Sequence, residues 1–358
     1  HRFRHYRGLM AFPTRVLRAL VSFLLFVPLV PSAAQQAAPI AAPVAVAAST
    51  PSAPLPPPKY AKPNDPWIYR GTDIPIDKEW LFGELPNGVR YAVRHNEVPP
   101  GQVSIRIRID AGSLYEKPSE QGFAHLIEHL TFRQSKYLGN AQAIPTWQRL
   151  GASFGTDTNA QTTPTETVYK LDLPDVSEGN LEESMKLLTG MIEDPTLSYS
   201  NLRTEVPIVL AERREHTGAD ARVEDATRET MFAGQLLAER PPIGTVKTLE
   251  EATPQSVRAF HDRWYRPENT VIVVTGDYPR EYLASLVEKW WSDWTMPGKP
   301  TPAPDFGAPH APPGADPANP VGETRVVVEP GQPRGFNYAY LRPYHQVVDN
   351  LEYNRGNL

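Results

Sequence analysis

Residues 122–130 read Gly-Phe-Ala-His-Leu-Ile-Glu-His-Leu, and this stretch decides how the rest of the chain is interpreted. Its polar residues are embedded in a run of Phe, Leu and Ile, which is typical of a packed α-helix. His125 and His129 are four residues apart, so both imidazoles leave such a helix on one face, one turn above the other. Glu128 lies beside them. The stretch therefore predicts a packed helix that carries a cluster of polar side chains.

Two imidazoles on successive turns of a helix can supply two of the ligands of a zinc ion. A catalytic zinc ion takes three protein ligands and keeps one position for water, so a third ligand must come from elsewhere in the chain. Glu128 then remains available as a base. The order His-x-x-Glu-His is the inverted form of the commoner zinc-binding order. The alternative is a solvated helix face, but the apolar surroundings favour a packed helix whose imidazoles need a partner.

Composition limits the classes of protein to which the chain can belong. Its 358 residues allow one large domain or two medium ones, and its net charge of −5 argues against nucleic acid as a partner. The absence of cysteine excludes a disulfide framework, a thiolate nucleophile and a thiolate metal ligand. Histidines and carboxylates are therefore the strong zinc ligands that remain.

The first 66 residues are predicted to lie outside the folded part. Arg15 and Arg18 precede an apolar run over 19–30 and then a Ser-Ala-Ala sequence, which together indicate a secretory signal segment. The apolar run is too short to span a bilayer, and a retained membrane anchor is the alternative interpretation. Residues 35–66 are rich in Ala and Pro and predict an extended tether. We therefore expect an exported protein without a stable membrane span.

Further along the chain, alternating and helical patterns follow one another without strict βαβ order. The predicted strands are 82–94 as a hairpin-like start, 103–109, 152–158, 165–173, 271–275, 324–328 and 335–341. The predicted helices, besides the one at 122–130, are 146–150, 178–194, 202–216, 253–264 and 282–290. This mixture favours an α+β fold in which helices pack on a mostly antiparallel sheet.

The predicted helix 202–216 holds the candidates for the third metal ligand. Glu205 and Glu212 are seven residues apart, two helical turns, so they project from nearly the same side, and either could reach a metal. His216 lies on the same face as Glu212, although a histidine near a helix C-terminus is also favoured by the helix dipole. The residues alone leave this choice open.

Taken together, these motifs resemble the pitrilysin family of zinc proteases, which includes insulin-degrading enzyme and mitochondrial processing peptidase. The resemblance covers roughly residues 67–294 and is that of a bacterial member. The stretches that carry it are His125-Leu-Ile-Glu-His129, Thr158-Asn159-Ala160, Thr167-x-Tyr169, Glu205 with Ile208-Val-Leu-Ala-Glu212-Arg213, Arg240-Pro-Pro-Ile-Gly-Thr245 and Arg263-Trp-Tyr-Arg-Pro-Glu-Asn269.

By this resemblance, His125, His129 and Glu212 bind Zn²⁺ and Glu128 is the catalytic base of peptide hydrolysis. Glu205 matches a second acidic residue that supports the site. The family's substrate-binding edge strand corresponds to Asn159 and Ala160. The substrate implied is an extended or unfolded peptide or protein. The interval from His129 to Glu212 is longer than usual in the family, which keeps Glu205 as an alternative ligand.

The domain organisation follows from the composition and the resemblance. The predicted division is 1–34 upstream residues and signal peptide, 35–66 linker, 67–295 zinc metallopeptidase N-terminal domain, 296–320 Pro-rich linker and 321–358 truncated start of a second domain. Family peptidases pair two homologous halves, and the chain is predicted to be the N-terminal half, with a second half or partner subunit as a possible partner. The predicted signal segment indicates an exported protein, periplasmic or secreted.

Two further interpretations belong to different classes of protein. One is a non-catalytic or inactive fragment that binds zinc and peptide as the partner of a second half. The other is a purely structural zinc site, which would need a fourth protein ligand. His216 and Glu205 are the candidates for that ligand.

Overall fold

The computed structural model describes residues 58–61, 71–310, 324–331, 335 and 349–356. The predicted signal segment at 1–34, most of the predicted linker at 35–66, the end of the predicted Pro-rich linker at 311–320 and nearly all of the predicted strand 335–341 lie outside these residues. Within the described residues, no helix has the length and apolar character needed to cross a membrane.

The folded part is built from six strands and nine α-helices within the described residues. The strands are β1 Trp80–Glu84, β2 Arg90–His95, β3 Val103–Ile109, β4 Thr158–Thr162, β5 Thr167–Leu173 and β6 Thr270–Gly276. The helices are α1 Phe123–Arg133, α2 Ala143–Arg149, α3 Glu178–Glu193, α4 Tyr199–Glu215, α5 Ala219–Met231, α6 Val246–Glu250, α7 Pro254–Trp264, α8 Arg280–Trp291 and α9 Leu351–Gly356. Short 3₁₀ turns at Ser113–Tyr115 and Pro118–Glu120 lead into α1.

All six strands form one sheet in the order β1-β2-β6-β3-β5-β4. Only the β2–β6 pair is parallel, and every other neighbouring pair is antiparallel. This confirms the expected α+β fold with a mostly antiparallel sheet. The central strand β3 alternates buried and more exposed residues along its length, as its sequence pattern predicts. Strand β4 is the last in the order, so its outer edge is the end of the sheet among the described residues.

Helices cover the apolar face of the sheet. Ile105, Ile107 and Tyr169 are fully buried there and share one apolar core with Leu126 of α1 and Trp291 of α8. The opposite face carries polar side chains. Arg106, for example, donates from both terminal nitrogens to the Asp172 carboxylate at 2.8 and 2.9 Å. Packing on one face only therefore fixes the position of α1 against the sheet.

Two predicted strands differ from the structure, and some helices, such as α5, were not predicted. The strand expected at 152–158 lies at 158–162 instead, because 152–157 form a turn that positions the edge strand. Residues 324–328 form no strand, and among the described residues no strand pairs with them. Helix α5 was not predicted, since only Ala226 of its residues is buried and it shows no wide apolar stripe.

Candidate metal centre

Helices α1 and α4 pack against each other next to the edge strand β4. Helix α4 begins at Ser198, whose side chain accepts a hydrogen bond from the backbone N–H of Asn201 at 3.2 Å. On α1, the rings of His125 and His129 lie 4.8 Å apart between centroids and nearly perpendicular, at 89°. The predicted one-face arrangement of the two imidazoles is therefore present.

Glu212 of α4 faces both histidines. Its Oε2 lies 3.7 Å from Nε2 of His125 and 3.6 Å from Nε2 of His129. The donor atoms of these three residues all lie within 4.8 Å of one another, and among the described residues they form the one group of three or more His, Asp or Glu with this property. Residues from two helices, more than 80 positions apart in the chain, thus converge on one point.

The three donors have the properties that zinc requires. Two of the three donor separations are shorter than about 4 Å, twice a zinc–ligand distance, and none exceeds 4.8 Å, so the three groups surround one point that a zinc ion could occupy after small side-chain movements. The two shorter separations are too long for hydrogen bonds, and the buried Nδ1 of His125 has no hydrogen-bond partner. Burial, with a smaller effect of His129, lowers the pKa of His125 to about 4, which keeps this imidazole in the neutral form that binds metal. The residues present therefore fit a zinc ion.

Glu205 occupies the other side of His129. Its Oε2 lies 3.5 Å from Nδ1 of His129, and its Oε1 lies 3.8 Å from the Arg133 guanidinium. Burial alone would lower the pKa of His129, but the carboxylates of Glu205 and Glu212 outweigh it and the pKa is raised. Glu205 thus faces the ring nitrogen opposite the donor group, which is where an orienting carboxylate acts.

Glu128 lies beside the donors and is itself buried, with 9% of its surface exposed. Its Oε2 accepts a hydrogen bond of 2.5 Å from the hydroxyl of Thr162, the last residue of β4. Burial raises the pKa of Glu128, although Thr162 and His129 act in the opposite direction. Sequence reasoning missed Thr162, because it placed this residue in a turn between two strands.

The remaining predicted site residues lie at two different places. Asn159 and Ala160 belong to β4, where Ala160 pairs with Tyr169 of β5 and the Asn159 side chain accepts the Ala160 N–H at 2.9 Å. His216 is exposed at the C-cap of α4, and its Nδ1 lies 2.9 Å from the carbonyl oxygen of Glu212. It does not belong to the donor group.

An antiparallel sheet that carries a His-x-x-Glu-His helix, together with a carboxylate from a second helix, defines a domain of the inverted-motif metallopeptidase type. Comparison with known proteins makes this specific. Residues 91–240 match the profile of Insulinase (Peptidase family M16), and residues 251–349 match that of the Peptidase M16 inactive domain. The chain therefore belongs to peptidase family M16.

Individual relatives agree with this assignment. The probable zinc protease PqqL of Escherichia coli is 33% identical over 215 residues, which are 60% of this chain and 23% of that protein. The crystal structure of the first half of the periplasmic protease PqqL from Escherichia coli superposes with a TM-score of 0.63 and 31% identity, over 67% of this chain and 51% of that one. Pitrilysin shares the fold, with a TM-score of 0.57 and 21% identity over 70% of this chain and 26% of that one.

The chain spans about a quarter of the length of the curated PqqL and PQQL-like relatives that it matches. These relatives are named zinc proteases.

Proposed function

We propose that this chain carries the metal-binding domain of a zinc-dependent endopeptidase that hydrolyses peptide bonds in extended or unfolded peptides. One observation carries the proposal: donors from α1 and α4 converge beside a buried carboxylate, at the end of an edge strand. Membership of a peptidase family supports the same conclusion.

In this proposal His125, His129 and Glu212 hold the zinc ion. Glu205 orients His129 from its Nδ1 side, where it lies 3.5 Å away. When bound, zinc supplies Lewis-acid chemistry, because it acidifies water and polarises a carbonyl group. Proton transfer and the orientation of the reacting groups are proposed to depend on the protein's own side chains.

Glu128 is the general base in this proposal. It accepts the proton of the attacking water on a carboxylate oxygen and returns it to the leaving amine. Burial raises its pKa, and a base whose pKa is closer to the working pH transfers protons more efficiently. The Thr162 hydroxyl donates to Oε2 and so holds the orientation of the carboxylate beside the proposed ion.

Substrate backbone is proposed to pair with the outer edge of β4. Such β-strand addition recognises main-chain groups and tolerates many side chains, which suits unfolded peptides. The N–H of Ala160 is held by the Asn159 side chain, and a substrate carbonyl would replace that contact. We also propose that the protein is exported and periplasmic, as the name of the PqqL structure states for that relative.

The test uses zinc-loaded protein and a flexible fluorogenic peptide. Glu128→Gln should retain one zinc per chain, since Glu128 is not a ligand, and should lower turnover by about 10²- to 10⁴-fold, the usual contribution of a general base. Glu183→Gln, the same change at a surface glutamate paired with Arg149, is the matched control and should leave turnover unchanged. An unchanged rate in Glu128→Gln, or loss of zinc with it, would contradict the assignment.

A second candidate function is binding of zinc and peptide without turnover, as the partner of another half. The observation that favours it is that residues 251–349 match the family model described as the Peptidase M16 inactive domain. The same assay separates the two functions when a homologous second half is added. Turnover that depends on Glu128 supports the peptidase, whereas peptide binding with no turnover in any mixture supports the binding partner.

A further inference from the structure

Glu116 is a buried carboxylate whose contacts lie at the start of the metal-binding helix. Only 4% of its surface is exposed. Its Oε2 accepts the backbone N–H of Gly122, and its Oε1 accepts that of Ala124, both at 2.9 Å. The first N–H groups of a helix have no partner within the helix, so Glu116 satisfies two of them at the start of α1. His125 is the next residue after Ala124.

The loop over residues 240–245 holds this arrangement from the other side. Gly122 has φ +94° and Gly244 has φ +69°, and a Cβ built on Gly244 would lie 2.4 Å from the Cα of Gly122. Only glycine permits so close an approach at these backbone angles. Nearby, the Ser113 hydroxyl donates to the carbonyl oxygen of Arg240 at 2.7 Å. The Arg-Pro-Pro-Ile-Gly-Thr stretch, which the proposed chemistry does not use, therefore packs against the turn that starts α1.

We infer that Glu116 is a positioning residue for the metal centre, which acts by fixing the first turn of α1 and with it the backbone of His125. The inference rests on the proposed function, because it concerns the affinity of the proposed zinc site. His125 lies in that first turn, and its imidazole must stay within reach of Glu212 for the donors to share one ion. A first turn without its cap would allow His125 to move relative to His129 and Glu212.

The substitution Glu116→Gln tests this role most directly, because it changes the charge and the hydrogen-bonding capacity of the side chain. Each Glu116 oxygen accepts one backbone N–H, and these two donors together with the Arg240 guanidinium favour the ionised form, although burial acts in the other direction and raises the pKa of the carboxyl. A carboxylate accepts hydrogen bonds with both oxygens, whereas an amide accepts with only one and places an NH₂ against the other donor. Glu116→Gln therefore removes one capping bond while keeping the size of the side chain.

Glu120 offers a matched control four residues away. It is also buried, at 6% exposure, and it accepts from the Lys117 N–H and from Arg263, with no bond to α1. Glu120→Gln makes the same chemical change in the same turn region. It should lower the melting temperature of the protein without changing the zinc affinity.

The experiment measures the zinc dissociation constant of the full chain by competition with a chromogenic chelator, and the melting temperature of the zinc-free protein. Glu116→Gln should raise the dissociation constant by about 10- to 100-fold, as losses of residues behind metal ligands do. Glu120→Gln should leave it at the wild-type value. A wild-type dissociation constant in Glu116→Gln, with only the melting temperature lowered, would show a merely structural cap and overturn the inference.

Two other results, absence of zinc in the wild-type chain and failure of Glu116→Gln to fold, also bear on the role of Glu116. If the wild-type chain binds no zinc, the proposed function fails, and the inference fails with it. If Glu116→Gln does not fold, amide hydrogen exchange of the wild-type chain decides instead. Slow exchange at Gly122 and Ala124, unusual for the first turn of a helix, supports the cap, and rapid exchange at both overturns it.

Discussion

Replacing Glu212 and Glu205 by glutamine, one at a time, should distinguish a metal ligand from a residue that orients a ligand. Glu212 is the carboxylate that faces Nε2 of both histidines, at 3.7 and 3.6 Å, whereas Glu205 faces Nδ1 of His129 alone. Glutamine keeps the length of the side chain but removes the negative charge that zinc prefers in a ligand. The two substitutions therefore make equal chemical changes at two different distances from the proposed ion.

The magnitudes follow from these positions. Zinc sites with four protein ligands bind with about 10–16 kcal/mol, so one ligand contributes roughly 3 kcal/mol, and Glu212→Gln should weaken zinc binding by about 100- to 1,000-fold. Glu205→Gln should weaken it by about 10- to 100-fold, because the ligand it orients remains in place. Glu215, exposed at the end of the same helix, is the matched control, and Glu215→Gln should have no effect.

The assay is chelator competition on the three variants in one buffer, with the ionic strength held constant. A larger loss in Glu205→Gln than in Glu212→Gln would show that Glu205 is the ligand, and the assignment of α4 would be wrong. Equal losses in all three variants, including Glu215→Gln, would mean that zinc is attracted by the total negative charge of α4 and is not coordinated by a specific residue.

Two further changes test other parts of the site and the fold. Thr162→Val removes the 2.5 Å hydrogen bond to Glu128. Because hydrogen bonds to charged groups contribute about 1.5–3 kcal/mol, this variant should lower kcat on the fluorogenic peptide by about 10- to 100-fold. Thr162→Ser keeps the hydroxyl and should retain most of the rate. Valine and serine variants with equal rates would refute this role. Burial raises the pKa of Glu193 from 4.5 to about 7, so the stability that its neutral form contributes is present below pH 4.5 and is lost as the pH rises to 7. Glu193→Gln should therefore reduce the loss of unfolding free energy between pH 5 and 7 by about 1 kcal/mol after solvent screening, measured by urea denaturation, and parallel curves for the two proteins would contradict it.

Helix α1 could be predicted from the sequence because the pattern that specifies it lies within a few consecutive residues. His125 and His129 are neighbours on any α-helix, whatever the rest of the chain does. The alternation of β3 was equally local, and the structure has its buried and exposed residues as predicted. The mostly antiparallel sheet followed from the order of these local elements.

What the sequence left open depends on contacts between distant segments. Glu205 and Glu212 share one face of α4, so only the packing of α4 on α1 decides which of them faces Nε2. Thr162 reaches Glu128 across 34 positions, from a strand whose start was predicted several residues too early. Glu116 was missed because a 3₁₀ turn, Pro118–Glu120, separates it from the helix that it caps, and known capping patterns involve residues next to the helix end.

The spacing of the α4 carboxylates is a further physical reason to expect a divalent cation at this centre. Seven residues, two turns, place Glu205 and Glu212 on opposite ring nitrogens of the same imidazole, His129. With Glu128 they bring three carboxylates to the site, and the nearby Arg133 contributes one guanidinium. Such an excess of negative charge in a largely buried place is unfavourable, as the effect of Glu212 in raising the pKa of Glu128 indicates. A bound Zn²⁺ would offset that excess, so the same carboxylates that cost free energy without the ion should stabilise the folded chain with it.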